Sequence, residues 1–312
     1  MAAAIQALSI SRSVYERLPT QPAPGRVLAV FDRACLLAPD EGEPLSLVLP
    51  EIGDGPLNVV VEAGTGAFAG LEPGMTATLS RTSLQAGPLL VDLSTARTWE
   101  PRPDWPFLRK SSLSGFVHPH PRLNCVRAAA VQRAPGGSFL DLLGNGPGGR
   151  GPMEQTLEVA RQAAEALAAG WAGDEGALRH GGRRMAGLGM GLTPSGDDYL
   201  AGVMLRAWLA HPEPEAFCRL VVESAAPRTM ALSAAFLRAA ARGECNAAWH
   251  ALFAALASAG SAPLEDAVCG VLAHGHTSGA DMLAGFLWGG APKMPAARRG
   301  SQSAACGESA GL

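Results

Sequence analysis

The chain has 312 residues, 47% hydrophobic and 17% charged, with a formal net charge of −3 and a pI near 6.2. Those values suit a globular protein with a large core and room for two domains. A near-neutral charge and few aromatics (six Trp, two Tyr, nine Phe) exclude the basic footprint and stacking platforms of a nucleic-acid binder. The expected partner is a small molecule or another protein. The six cysteines are scattered without a C-x-x-C pair, as reduced thiols in a cytoplasmic protein would be. The first ten residues lack a basic n-region and a long apolar core, and no uninterrupted apolar run of about 18 residues follows. Neither export nor a membrane span is expected.

Residues 1–25 read as an N-terminal segment, and residues 26–100 as a β domain. Runs rich in Val and Leu recur at 27–31, 45–49, 57–62, 75–80 and 89–93. Turn clusters such as Asp40-Glu41-Gly42, Gly53-Asp54-Gly55-Pro56 and Glu72-Pro73-Gly74 separate them. This spacing predicts a small antiparallel barrel or sandwich with a structural or interfacial role. Residues 101–122 form a proline-broken bridge. It carries His118 and His120, which read as part of an extended surface loop with no third metal ligand nearby.

Residues 123–292 read as a larger all-helical domain, so the fold class is α+β. Met153, Leu157, Ala160, Ala164, Leu167 and Trp171 step by four and three, an amphipathic stripe. Further helices are expected over 195–211, 213–225, 228–242, 246–258 and 264–274. The glycine-rich stretch 144–149 lacks the Lys-Ser/Thr of a phosphate loop and reads as a plain loop. Residues 293–312 are small, polar and unpatterned, and are expected to be disordered.

One phrase is written twice in this domain. Residues 195–202 are SGDDYLAG and residues 278–285 are SGADMLAG, each after a glycine-rich approach and a threonine (Thr193, Thr277). Ser at the N-cap and Asp three residues on resemble a capping box, so Ser195/Asp198 and Ser278/Asp281 are expected to start two helices. Helix starts offer unpaired N–H groups and the positive dipole end, and Gly196 and Gly279 would let a ligand approach the backbone. With the hydroxyls of Thr193, Ser195, Thr277 and Ser278, the pair suits a small anionic substrate gripped between two helix ends. Plain helix capping is the bland alternative. Asp197 is the extra acid, expected to be free as a general base, or to bind Mg2+ together with Asp198 and Asp281. His276, in the loop before the second copy, is the candidate to polarise a carbonyl. Arg228, Thr229 and Ser233 form a third cluster, the two hydroxyls one helical turn apart and the guanidinium suited to an anion.

At these residues the sequence resembles the AllH-like family. The matching stretches are 189–198 (GMGLTPSGDD), Arg228-Thr229 with Ser233, 275–281 (GHTSGAD), and in the β domain 30–34 (VFDRA) and 91–96 (VDLSTA). One branch of that family is a component of oxamate carbamoyltransferase in allantoin breakdown, working beside FdrA-like partner subunits. The resemblance implies a subunit of a carbamoyltransferase-type complex, or a homo-oligomer, that handles carbamoyl phosphate or oxamate. No cofactor is firmly implied. The rival readings are a Mg2+-dependent hydrolase with Asp ligands at helix starts, and a non-catalytic assembly or regulatory subunit.

Overall fold

The computed structural model describes residues 4–110, 121–143, 152–258 and 262–288. The stretch with His118 and His120, the 144–149 loop and residues 293–312 lie outside them. Among the described residues no helix is long and apolar enough to cross a membrane.

The β domain begins at Ile5, not near residue 26. Strand β1 (Ile5–Ser11) is its hub. One edge of β1 pairs in parallel with β8 (Leu89–Asp92) and then β9 (Arg97–Trp99); the other edge pairs antiparallel with β5 (Asn58–Val61). The remaining strands are β2 (Ala23–Phe31), β3 (Ala34–Pro39), β4 (Leu45–Val48), β6 (Thr76–Leu79) and β7 (Ser83–Ala86). In the order β5-β4-β3-β2-β6-β7-β8-β1, closed by the β1–β5 pairing, they form an eight-stranded barrel with β9 appended. The sheet is therefore a barrel and not a sandwich. It is mixed rather than purely antiparallel, because β4–β5 and β1–β8 run parallel. Closure leaves no long open edge, which suits a small β domain.

Alternation along the strands gives the barrel two different faces. Cys35, Leu37, Leu45, Leu47, Val59 and Val61 point into the barrel core, together with Val14 of the short helix α1 (Arg12–Arg17). The residues between them, Leu36, Ser46, Val48 and Asn58, face outward toward the helical domain. That outward face forms one wall of the site described below.

The helical domain runs through α2 (Trp105–Lys110), α3 (Pro121–Arg133), a 3-10 turn (Phe139–Leu143), α4 (Pro152–Trp171) and α5 (Glu175–Met185). It continues with α6 (Ser195–Ala210), α7 (Pro214–Ala225), α8 (Ala231–Ala241), α9 (Ala247–Ala257), α10 (Ala262–Leu272) and α11 (Ser278–Trp288). The twice-written phrase starts the two helices at its centre. Nearly every residue of α6 from Gly196 to Leu209 is buried, as expected for a helix that is apolar on all sides.

The two domains are stapled by polar contacts. Ser13 Oγ donates to Glu244 Oε1 at 2.7 Å, and Arg242 reaches the same carboxylate through Nε at 2.8 Å and a terminal nitrogen at 3.1 Å. Glu43 pairs with Arg17 and also lies 3.6 Å from Arg242 and 3.8 Å from Arg238. Trp105, at 2% exposure, plugs into the helical core, donating to Gly243 O at 2.9 Å and packing edge-on to Phe253 at 5.1 Å.

Candidate functional site

The two copies of the phrase meet, and they meet symmetrically. Gly202 of α6 abuts the carbonyl oxygen of Met282, and Gly285 of α11 abuts that of Tyr199; a Cβ at either position would overlap the facing oxygen. Gly202 and Gly285 hold the same place in the phrase, as do Tyr199 and Met282. The contact is thus related by an internal pseudo-twofold. The same holds six residues earlier. Gly196 abuts the carbonyl oxygen of Met185 at the end of α5, and Gly279 that of Val271 near the end of α10.

The capping box does not form. Pro194 occupies the N-cap of α6 without a side-chain cap bond, and Ser195 and Ser278 are first helical residues. Each serine turns instead to the carboxyl of the opposite copy: Ser195 and Thr277 interact with Asp281, and Ser278 and Thr193 with Asp198. The Thr193 and Ser278 hydroxyls lie 3.1 Å apart. Nor are the helix starts open for an anion. Gly196 N donates to Leu188 O at 2.8 Å and Gly279 N to His274 O at 3.0 Å, while the amides of Asp197, Asp198 and Asp281 find carbonyls of Pro194 and Thr277. The approach loops thus take the Gly196 and Gly279 amides that an anion at each helix start would use.

The three aspartates have three different settings. Asp197, at 2% exposure, is not free. Its Oδ1 accepts from Gly187 N at 3.0 Å, and its Oδ2 accepts from Ser233 Oγ at 2.7 Å and from Thr229 Oγ1. The Thr229–Ser233 pair therefore braces a carboxylate. Asp281, fully buried, accepts a 2.6 Å bond from Phe139 N through Oδ1 and leaves Oδ2 without a hydrogen-bond partner. Asp198 also leaves a buried Oδ2 without a partner, and the residue lines a cavity. Among the described residues no three histidine, cysteine, aspartate or glutamate side chains are arranged to hold a metal ion. Of the three acids expected to bind Mg2+, Asp197 spends both oxygens on Gly187, Thr229 and Ser233.

The cavity, about 280 Å³, lies between the outward face of β2–β5 and the helices. Thr193, Asp198, Ser278, Gly279 and His274 form its polar end, with Glu244 and Asn246 at another corner; Phe31, Leu36, Val48, Phe236, Trp249 and Met282 are among its apolar walls. Its charged lining residues, Asp198 and Glu244, are both acidic. His276 and Arg228 are exposed and do not line it. His274, two residues from the imidazole expected to act, does so, as do the barrel residues Phe31 and Ala34. The motif stretch 30–34 held the signal for the last two. Asn246 was hidden as an ordinary N-cap, since its Oδ1 accepts from Trp249 N at 3.2 Å.

Burial raises the Asp198 pKa well above the usual carboxylate range, and the nearby Asp281 and Asp197 charges raise it further, while the Ser278 and Thr193 hydroxyls oppose the shift. Burial likewise raises Asp281, against the Phe139 N–H. Burial lowers the His274 pKa. Between the ordinary carboxylate pKa of about 3.9 and the raised value in the fold, the native state keeps a proton that the unfolded chain has released. Stability is then greatest below that window and falls as pH rises through it. Chemical denaturation at a series of pH values is expected to show this loss, and Asp198→Asn to flatten it. An unchanged pH profile in the variant would mean that Asp198 ionises normally.

The fold is that of a two-domain α+β protein whose barrel closes over the crossing of two duplicated helix starts. A family model for the oxamate carbamoyltransferase subunit AllH matches residues 185–290, and one for the AllH family N-terminal domain matches residues 6–98. The chain belongs to the AllH family. The first match opens at Met185, whose carbonyl Gly196 abuts, and spans both copies of the phrase; the second covers nearly the whole barrel. No solved structure gives a significant match.

Proposed function

We propose that this chain is a subunit of a carbamoyltransferase-type complex and that the cavity between barrel and helices is its substrate site. The observation that carries this reading is the Asp198 carboxyl. It stands between hydroxyls from both copies of the phrase, faces the cavity, and keeps one buried oxygen unpartnered, where buried polar atoms are normally paired. Carbamoyl phosphate and oxamate share a –CO–NH2 group, which offers both an N–H and a C=O to such a carboxyl and its hydroxyls. The reaction moves the carbamoyl carbon from a phosphate oxygen to the oxamate nitrogen, with loss of one N–H proton. His274, whose pKa burial lowers, also lines the cavity and is the candidate to take that proton.

Among the described residues the anionic ends of both substrates find no lysine or arginine on the cavity walls. This favours a shared site in which a partner subunit, FdrA-like or a second copy, supplies the positive charge. The side chains expected to bind or act are Thr193, Asp198, Ser278 and His274. Asp197, Thr229, Ser233, Ser195 and Asp281 hold the framework. Arg228 and His276, on exposed loops, are left to contacts at the mouth or with the partner.

In the reconstituted complex Ser278→Ala is expected to lower kcat/KM about tenfold, equivalent to about 1.4 kcal/mol, with a small change in melting temperature. Calorimetric titration of the complex with carbamoyl phosphate and oxamate tests the binding. Unchanged affinity for both in Ser278→Ala and Asp198→Asn would place the substrate elsewhere.

A further inference from the structure

The pseudo-twofold supplies its own template for what the cavity holds. At Asp281 the chain fills the pocket beside the carboxyl with part of itself. The Phe139 N–H donates at 2.6 Å, and the Phe139 ring packs edge-on against Tyr199 with centroids 6.2 Å apart. The twofold partner of Asp281 is Asp198, and that of Tyr199 is Met282. Both of these line the cavity. Among the described residues none donates to the Asp198 Oδ2 as Phe139 N does to Asp281, and Trp249, Phe236 and Leu36 are among the walls of the cavity that Asp198 and Met282 line.

We infer that the cavity selects a neutral amide, whose N–H donates to Asp198 and which lies against Met282, Trp249 and the outward face of the barrel. This rests on the reading of the cavity as the substrate site, and it narrows that reading: the ligand presents a neutral amide inside the cavity, and the anionic ends of carbamoyl phosphate or oxamate stay at the mouth, where a partner subunit supplies the charge. Charge argues the same way. An anion here would face Asp198, and among the described lining residues there is no lysine or arginine; Glu244, at the other corner, is already paired with Arg242. A cation would require Asp198 to ionise in an apolar setting, against the effect of its burial.

Three probes of matched size separate the cases: benzamide, benzoate and benzylamine, titrated calorimetrically at pH 7 into the full-length chain. Benzamide is expected to bind at least tenfold more tightly than either charged analogue. Asp198→Ala should weaken it at least tenfold. Ala34→Trp, which fills the cavity from the barrel wall and leaves the helical core untouched, should abolish it. Equal or tighter binding of benzoate or benzylamine overturns the inference, as does benzamide binding that survives both variants or is absent from the unmodified chain. The functional reading fails separately. If the complex binds carbamoyl phosphate in an Asp198-dependent way while benzamide is ignored, only the amide selectivity is lost. If benzamide binds and neither carbamoyl phosphate nor oxamate does, the transferase assignment is lost and the amide site stands.

Discussion

Replacing Gly202 or Gly285 by alanine is expected to destabilise the protein by more than about 3 kcal/mol, although the same change in an exposed helix would stabilise it by about 1 kcal/mol. The reversal of sign comes from the close approach of α6 and α11. A methyl group on Gly202 would overlap the Met282 carbonyl oxygen and come within 2.8 Å of Phe286 N, and one on Gly285 would overlap the Tyr199 carbonyl oxygen. Backbone atoms cannot rotate away as a side chain can. The helices would have to separate, opening a core in which Tyr199, Val203, Leu283 and Phe286 are fully buried. Urea denaturation of each variant provides the measurement. A loss below 1 kcal/mol would show that the two helices can shift apart without disturbing the core. Because Thr193, Asp198 and Ser278 are carried by this crossing, a folded variant should also bind its ligand weakly.

The second large effect is expected at Asp197. Asp197→Ala removes the acceptor for the Gly187 amide and for the Thr229 and Ser233 hydroxyls, at a residue with 2% exposure. Stranding several buried donors should cost roughly 3–4 kcal/mol. Asp197→Asn keeps an amide oxygen for Gly187, while the two hydroxyls can turn to accept from its nitrogen, so most of that stability should return. The pair of variants separates a brace from a catalyst. A brace predicts near-normal kcat/KM for the asparagine variant in the reconstituted complex. A general base predicts a loss of two or more orders of magnitude with little change in stability. The latter outcome would restore to Asp197 the role its sequence position first suggests.

Much of the architecture was legible because it depends on local pattern. Val- and Leu-rich runs between turn clusters indicated the β domain, and steps of three and four indicated the helices. Strand β1 escaped because IQALSIS follows a run of small residues with no turn signal between them, and its importance lies wholly in pairing with strands more than 45 residues away. Barrel closure was open for the same reason: alternation selects a face for each side chain but not the partner of each edge.

The repeated phrase shows where local reading stops. Its glycines, serines and aspartates were recognisable by spacing, and so was the expectation that the two copies belong together. Spacing cannot decide which donor a carboxylate meets. A helix start offers the amides of its own first turn at every such aspartate, yet here the approach loops took those amides and the hydroxyls of the opposite copy turned toward the acids. Asp197, Asp198 and Asp281 all stand in the first turn of their helices, Asp198 and Asp281 at the same position of the phrase. Only packing made one a brace under α8, sealed another beneath Phe139, and turned the third toward a cavity walled by the barrel. The sequence by itself determined two duplicated helix starts joined to a β domain, because backbone propensity and periodicity act over a few residues. The tertiary structure decided which of their polar groups are satisfied from within and which face a ligand, because each hydrogen-bonding partner comes from a distant part of the chain.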